Sequence, residues 1–508
     1  MKFFKVLFSK YIPIGLVLLL QILFFIVFLY EFDELFPAFQ ILSSIAAVLI
    51  FLKIVNKREP PEYKIPWLFL ILVLPLFGIV MYFIFTNQRI RKKDSVRMVK
   101  ALKEMSSYVR PDENMKNKTA NFLGNYSDLS NYLTNTSKTY GSLGNDLKYF
   151  SVGEDFWADY LEELKKAKKF IFMEYFIIET GKMWDSIHEV LLEKVKEGVE
   201  VRILYDDVGV FGKLRDSYHR KLRKEGIICY KFAKLTPLIS AKYNNRDHRK
   251  ITVIDGKVAY TGGINISDDY VNLTNRLGHW KDTAMKIKGP AVNTMTMMFL
   301  TMFDTASKKN SEYEKYFVTH KENNEKKGFV QPFGCGPRPY YKEQVGENNY
   351  INMINSAKNY IYITTPYLII DHNLATSLRN AALRGVDVRI ITPQIPDKKI
   401  VFSLTRSNYS YLMEAGVKIY EYVPGFIHAK MCVCDDEYGY IGSINLDYRS
   451  LTHHYECGLL LVKCPCLIDM KMDILNTFNA SQEITKKFYI NIFSRLTATL
   501  LQLFSTIF

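Results

Sequence analysis

The chain has 508 residues, too many for one compact core, and the usual domain size of about 100–200 residues divides it into two or three. Its 67 Lys and Arg exceed its 52 Asp and Glu, a formal charge of +15 that favours anionic partners, whether lipid headgroups or nucleic acid, and argues against basic ones. Seven cysteines make an odd number, and neither Cys432 with Cys434 nor Cys464 with Cys466 has the C-x-x-C spacing of a zinc or redox site, so they read as free thiols of a reducing compartment.

The first 95 residues read as a membrane region with two or three hydrophobic segments. Tyr11 to Tyr30, Leu35 to Leu52 and Ile65 to Gln88 carry no charge, and each approaches the roughly 20 apolar residues that cross a bilayer core. The first run ends at Tyr30-Glu31 without a small-residue cleavage site, which argues against a signal peptide. Lys2, Lys5 and Lys10 before it, the acidic loop Glu31, Asp33 and Glu34, and then Lys53, Lys57 and Arg58 fit two spans with a cytoplasmic N-terminus. Pro75 and Gly78 permit the third run to kink or to return to the same side as a re-entrant hairpin. The basic flank at 89–93 and the unpaired thiols then place the long region that follows in the cytoplasm of a multi-pass membrane protein.

Residues 96–150 turn polar and read as a connector with short helical pieces. From 151 to 480 one order of elements occurs twice. The strand-like runs Phe170 to Ile178 and Tyr360 to Ile370 are followed by "KEGVEVRIL" (196–204) and "LRGVDVRII" (383–391), then by "KEGIICY" (224–230) and "EAGVKIY" (414–420). A strand–helix alternation of this kind predicts α/β layers, with halves at 151–307 and 346–480 joined by a charged linker at 308–345. Residues 481–508 end in an apolar, near-helical pattern that fits either the membrane interface or the core.

Each copy arrives at H-x-K-x-x-x-x-D: His248, Lys250 and Asp255, then His428, Lys430 and Asp435, with the histidines 180 residues apart. Matching positions of duplicated halves can meet in one interface site. Cleaving a phosphodiester needs a nucleophile, a proton donor for the leaving alkoxide and fixed positive charge for the phosphorane, and the two motifs hold these in duplicate. Two imidazoles divide the first two roles, and each lysine shares a strand face with its histidine. Asp255-Gly256 lies between "ITVI" and "KVAY", a hairpin-turn pattern, so Asp255 and Asp435 suit turn geometry better than proton transfer. The turns Gly262-Gly263-Ile264-Asn265 and Gly442-Ser443-Ile444-Asn445 let Asn265, Ser443 and Asn445 approach a phosphate. Asp282 and Glu456, 34 and 28 residues beyond their histidines, are candidates to orient each imidazole.

These motifs resemble the phospholipase D superfamily, and "MEYFII", "TPYLI", "NRDHRK", "TGGINI", "GFIHAK", "GSINLDYRS" and the membrane-like segment at 67–85 extend the resemblance to bacterial cardiolipin synthases. The resemblance implies two similar phospholipase D-like halves, each a mixed sheet flanked by helices, preceded by N-terminal transmembrane helices. It implies transfer of a phosphatidyl group between two phosphatidylglycerol molecules, with His248 as nucleophile and His428 as general acid and then base. No metal or organic cofactor is implied; the partners are membrane phospholipids and the bilayer, not nucleic acid. A hydrolase, or a transferase with another acceptor alcohol, would use the same machinery. Ala284, where relatives often carry histidine, and the extra run at 11–30 depart from the family pattern.

Overall fold

The computed structural model describes residues 36–86, 92–234, 244–320 and 328–485, with Leu23 and Val27. The run at 11–30, those two residues aside, and the apolar end at 486–508 lie outside the described residues. Residues 36–86 belong to one compact unit, and residues 92–234 and 245–485 to a second.

In the first unit, helix α1 (Phe36–Val55) is followed by α2 (Pro61–Val73) and α3 (Pro75–Thr86). The third apolar run is therefore two helices of 13 and 12 residues, broken where Leu74 leaves helical geometry ahead of Pro75. Each is roughly 20 Å long at 1.5 Å per residue. They fold back on one another closely: a Cβ on Gly78 would stand 2.7 Å from the backbone of Ile71. Among the described residues no helix is long and apolar enough to cross a membrane. Ile41, Leu42, Ile45, Val48, Leu49, Leu72 and Phe83 are nevertheless exposed on this unit.

The second unit contains two sheets built to one plan. The first has seven strands: β1 (Asp146–Phe150), β2 (Phe170–Tyr175), β3 (Glu200–Asp206), β4 (Ile228–Phe232), β5 (Lys250–Ile254), β6 (Val258–Gly262) and β7 (Ala284–Lys288). The second repeats them as β8 (Phe329–Cys335), β9 (Tyr360–Thr364), β10 (Asp387–Pro393), β11 (Lys418–Tyr422), β12 (Met431–Cys434), β13 (Tyr438–Gly442) and β14 (Glu456–Val462). The spatial orders are β1-β7-β6-β5-β2-β3-β4 and β8-β14-β13-β12-β9-β10-β11, with the short pieces Ser142–Leu143 and Ser481–Glu483 added at the two edges of the second. In each, three strands run parallel and the other pairs are antiparallel. Both sheets are thus mixed α/β layers, and every residue of β2, β5, β6, β9, β12 and β13 is buried. The edge strands β1 and β8 come from stretches that the sequence suggested were connector and linker.

Helices α4 (Lys182–Lys196) and α6 (His372–Leu383) make the equivalent crossovers from β2 to β3 and from β9 to β10, while α5 (Ala291–Ser307) and α7 (Cys466–Asn479) follow β7 and β14. Helix α5 is buried from Ala291 to Asp304 except at Asn293, because it packs on the first sheet and on β8 of the second. Phe172 of β2 stacks on Phe299 of α5 at 4.6 Å, and a single apolar core runs from one sheet through this helix to the other. All seven cysteines are free and buried, and Cys432 and Cys434 lie within β12. This continuous core fixes the halves against each other, so side chains from both can share one site.

Candidate active site

Each motif histidine ends the segment that leads into its strand, and each is docked on the opposite half. The amide of His248 donates to the carbonyl of Tyr455 at 2.9 Å, and the amide of His428 donates to that of Lys281 at 2.7 Å. His279–Lys281 pairs in parallel with Gly425–Ile427, and Asp247 bridges to Tyr455. The segment carrying each histidine therefore adds to the segment carrying the other half's carboxylate.

The consequence is a crossed pairing. Nδ1 of His248 lies 2.9 Å from both carboxylate oxygens of Glu456, and Nδ1 of His428 lies 2.6 Å from Oδ2 of Asp282. Sequence position attached each carboxylate to the histidine of its own half. The interface exchanges them, because β7 and β14 begin beside the other half's motif. Each carboxylate is in turn seated on its own half's glycine turn. Ser443 Oγ donates to Glu456 Oε2 at 2.5 Å, whereas at the matching Gly263 any Cβ would stand 2.1 Å from Asp282 Oδ1. Ser443 thus orients Glu456, a different position from the phosphate-gripping one its sequence suggested.

Lys250 and Lys430 are buried beside both histidines. Nζ of Lys250 donates to the carbonyl of His248 at 2.6 Å, which leaves two of its three N–H groups for another acceptor. Lys430 Nζ donates to the carbonyl of His428 and also lies 2.7 Å from Nδ1 of that ring. Burial lowers Lys250 to about 8 and Lys430 to about 7, despite the opposing pull of the carboxylates. Burial first, then the two lysines, pushes both histidines well below 6.5. Burial raises Asp282 to about 7, so the Asp282–His428 pair holds its proton in common. The Glu456 oxygens at its Nδ1 favour a neutral His248 with its proton there and its lone pair on Nε2. At His428, Nδ1 faces both Asp282 Oδ2 and Lys430 Nζ, which pull the ring's tautomer in opposite directions.

The remaining sequence candidates are committed elsewhere. Asp255 accepts the amides of Lys168, Lys169 and Phe170, and Asp435 those of Lys358, Asn359 and Tyr360. Both close the far end of their strand, about 20 Å from their histidine at roughly 3.3 Å per residue, too far to exchange a proton with it. Asn265 accepts the amide of Ile177 and donates to the hydroxyl of Tyr270, so its amide ties the loop rather than reaching a phosphate. Asn445 differs, since its Oδ1 is buried without a partner among the described residues.

Other neighbours of the histidines escaped sequence reasoning. His248 is flanked by Phe176 at 5.0 Å and His454 at 5.6 Å between ring centres. His428 is flanked by Tyr270 at 5.3 Å and Trp280 at 5.5 Å. Trp280 and His454 each stand two residues before their half's carboxylate, the one signal that could have marked them. His248, His454 and Glu456 bring ligand atoms within 4.8 Å of one another, a spacing that a metal ion could bridge. Lys250 and Lys430 lay positive charge against the same space and oppose a cation there.

With this geometry in place, comparison with known proteins is decisive. A family profile described as "Cardiolipin synthase, PLD-like domain" matches residues 160–293 and 350–479, one stretch in each half. The chain belongs to this family. A second profile, phospholipase D-nuclease N-terminal, matches residues 41–85, within the unit of α1 to α3. A cardiolipin synthase of Halalkalibacterium halodurans is 33% identical, with 88% of this chain and 89% of that protein covered. One of Staphylococcus aureus is 34% identical, with 83% and 86% covered. The crystal structure of a phosphatidylserine synthase from Haemophilus influenzae Rd KW20 matches with a TM-score of 0.55 at 14% identity, covering 75% of this chain and 98% of that one, which speaks for the fold alone.

Proposed function

We propose that the chain is a phosphatidyltransferase that makes cardiolipin and glycerol from two molecules of phosphatidylglycerol. The observation that carries this reading, beside the family membership, is the crossed pair His248–Glu456 and His428–Asp282 with two lysines between them. In the first step the Nε2 lone pair of His248 attacks phosphorus, the bond to the leaving glycerol oxygen breaks, and His428 gives that oxygen its Nε2 proton. The product is a phosphatidyl group on His248. In the second step His428 takes the hydroxyl proton of another phosphatidylglycerol, the oxygen attacks phosphorus, and the electron pair of the P–N bond returns to His248.

The charges favour this order of events. A phosphodiester anion entering beside Lys250 and Lys430 offsets the field that depresses both imidazoles, which raises the proton affinity of His428 as substrate binds. The lysines hold the phosphate, and Asn445, whose Oδ1 is a buried acceptor without a partner among the described residues, accepts from a headgroup hydroxyl.

The site serves a bilayer. The exposed apolar side chains of α1 to α3 support a membrane anchor in which α2 and α3 form a re-entrant hairpin, so that the basic flanks on either side of it lie in the cytoplasm. A bacterial multi-pass membrane protein with a cytoplasmic catalytic unit follows.

Mass spectrometry of products from the full chain in phosphatidylglycerol proteoliposomes tests the reaction. Cardiolipin with one equivalent of glycerol is expected. Phosphatidic acid without cardiolipin would show that water, not lipid, is the acceptor.

A further inference from the structure

The two halves differ at one position that touches the chemistry. Trp280 and His454 are equivalent in the repeat, yet only His454 has its ring nitrogen recorded beside the carboxylate of its half, among the described residues. Its Nδ1 is buried, has no hydrogen-bond partner among the described residues, and lies 3.6 Å from Oε1 of Glu456, the oxygen that also faces His248. Oε2 of Glu456 is already held by Ser443. Closing the 3.6 Å gap by less than an ångström would give Glu456 a third side-chain donor. Asp282 faces His428 and the amide of Thr283, and Trp280 presents a ring to His428 in place of a second imidazole.

We propose that His454 is a positioning residue for the second chemical step, donating from Nδ1 to Glu456 while His248 carries the phosphatidyl group. The inference rests on the phosphohistidine reading above. Once Nε2 of His248 is bonded to phosphorus, its ring is cationic and its Nδ1 proton is acidic. If Glu456 took that proton, breaking the P–N bond would expel imidazolate, a poor leaving group. A donor on Oε1 lowers the basicity of Glu456, keeps the proton on Nδ1, and lets neutral imidazole depart as the acceptor oxygen bonds to phosphorus. Burial holds His454 down to about 3, so it stays neutral and acts through one N–H rather than through charge. His428 never carries phosphorus, so its carboxylate Asp282 has no matching requirement.

The test compares wild type, His454→Phe and His454→Asn as full chains in proteoliposomes. Phosphatidyl-p-nitrophenol as donor reports formation of the intermediate by its nitrophenol burst, and rapid quenching with labelled lipid reports its decay to phosphatidylglycerol acceptor. The burst rate in His454→Phe should stay within about twofold of wild type, which also shows a folded site, while decay slows about tenfold, the worth of one such hydrogen bond. Asparagine supplies an N–H and should restore decay to within about threefold. Unchanged decay in His454→Phe, or equal slowing in His454→Asn, would overturn the proposal. Failure of the wild type to form any phosphohistidine would sink the underlying reading, and this one with it.

Discussion

Nδ1 of His248 lies 2.9 Å from both oxygens of Glu456, a residue 208 positions further along the chain, and Asp282, only 34 positions away, serves His428. Neither half therefore holds a complete catalytic unit. Each supplies a histidine to one end of the site and a carboxylate to the other, and the apolar core around α5 keeps the two in register. An arrangement of this kind makes activity depend on the packing between halves.

The carboxylates should be needed for rate rather than for folding. Glu456→Gln and Asp282→Asn keep shape but remove the charge that fixes each tautomer, and kcat should fall about 10²- to 10⁴-fold with little change in KM, as for an orienting carboxylate in a triad. Steady-state kinetics on phosphatidylglycerol vesicles, beside a thermal melt, separates this from a loss of structure.

Asp255 and Asp435 should behave in the opposite way. Each accepts three backbone amides at the start of a central strand, so Asp255→Ala should destabilise the chain by about 2–4 kcal/mol while the folded enzyme keeps its turnover. A melting temperature lowered by several degrees with kcat intact per folded molecule is the expected result. Loss of kcat without loss of stability would give Asp255 a role in the chemistry.

The pH profile follows from the buried lysines. Lys430 at about 7 and Lys250 at about 8 lose their charge as pH rises through that window, so kcat/KM should fall as pH rises from 7 to 8 and above. His248 is held well below 6.5, so the acid limb, where the nucleophile becomes protonated, should lie below that value. Lys430→Arg keeps its charge throughout and should carry the alkaline limb to higher pH, even at a lower maximum rate.

Gly263 has no room for a side chain. A Cβ there would meet Asp282 Oδ1 at 2.1 Å, so Gly263→Ala should displace the carboxylate from His428 and cost at least about tenfold in kcat, roughly the value of one charged hydrogen bond. The converse change, Ser443→Gly, removes the hydroxyl from Glu456 and should slow the enzyme by a similar factor.

Much of this site could be read along the chain. Two H-x-K-x-x-x-x-D motifs at matching points of a repeat marked the histidines and lysines, and the hairpin pattern around Asp255-Gly256 already separated the aspartates from proton transfer. The exchange of Asp282 and Glu456 was hidden, because a repeat shows which residues correspond and not which half each one faces. Ser443 looked like a phosphate ligand because its partner Glu456, in the same half, is brought back to it only by the pairing of β13 with β14. His454 was silent: a histidine two residues before a carboxylate has no meaning until Glu456 is seen beside His248. The uncharged run at 65–88 showed where it could break, at Pro75 and Gly78, and the structure ends one helix at Val73, begins the next at Pro75 and packs them closely at Gly78.

The crossed pairing itself is tested most directly by the burst of nitrophenol from phosphatidyl-p-nitrophenol, whose leaving group departs without a proton. If Glu456 serves the nucleophile His248 and Asp282 serves the acid His428, Asp282→Asn and His428→Ala should each release about one equivalent of nitrophenol at a rate near wild type and then stall. Glu456→Gln should be slow from the first turnover, and His248→Ala should give no burst. The reverse pattern, a burst retained by Glu456→Gln and lost in Asp282→Asn, would contradict the pairing.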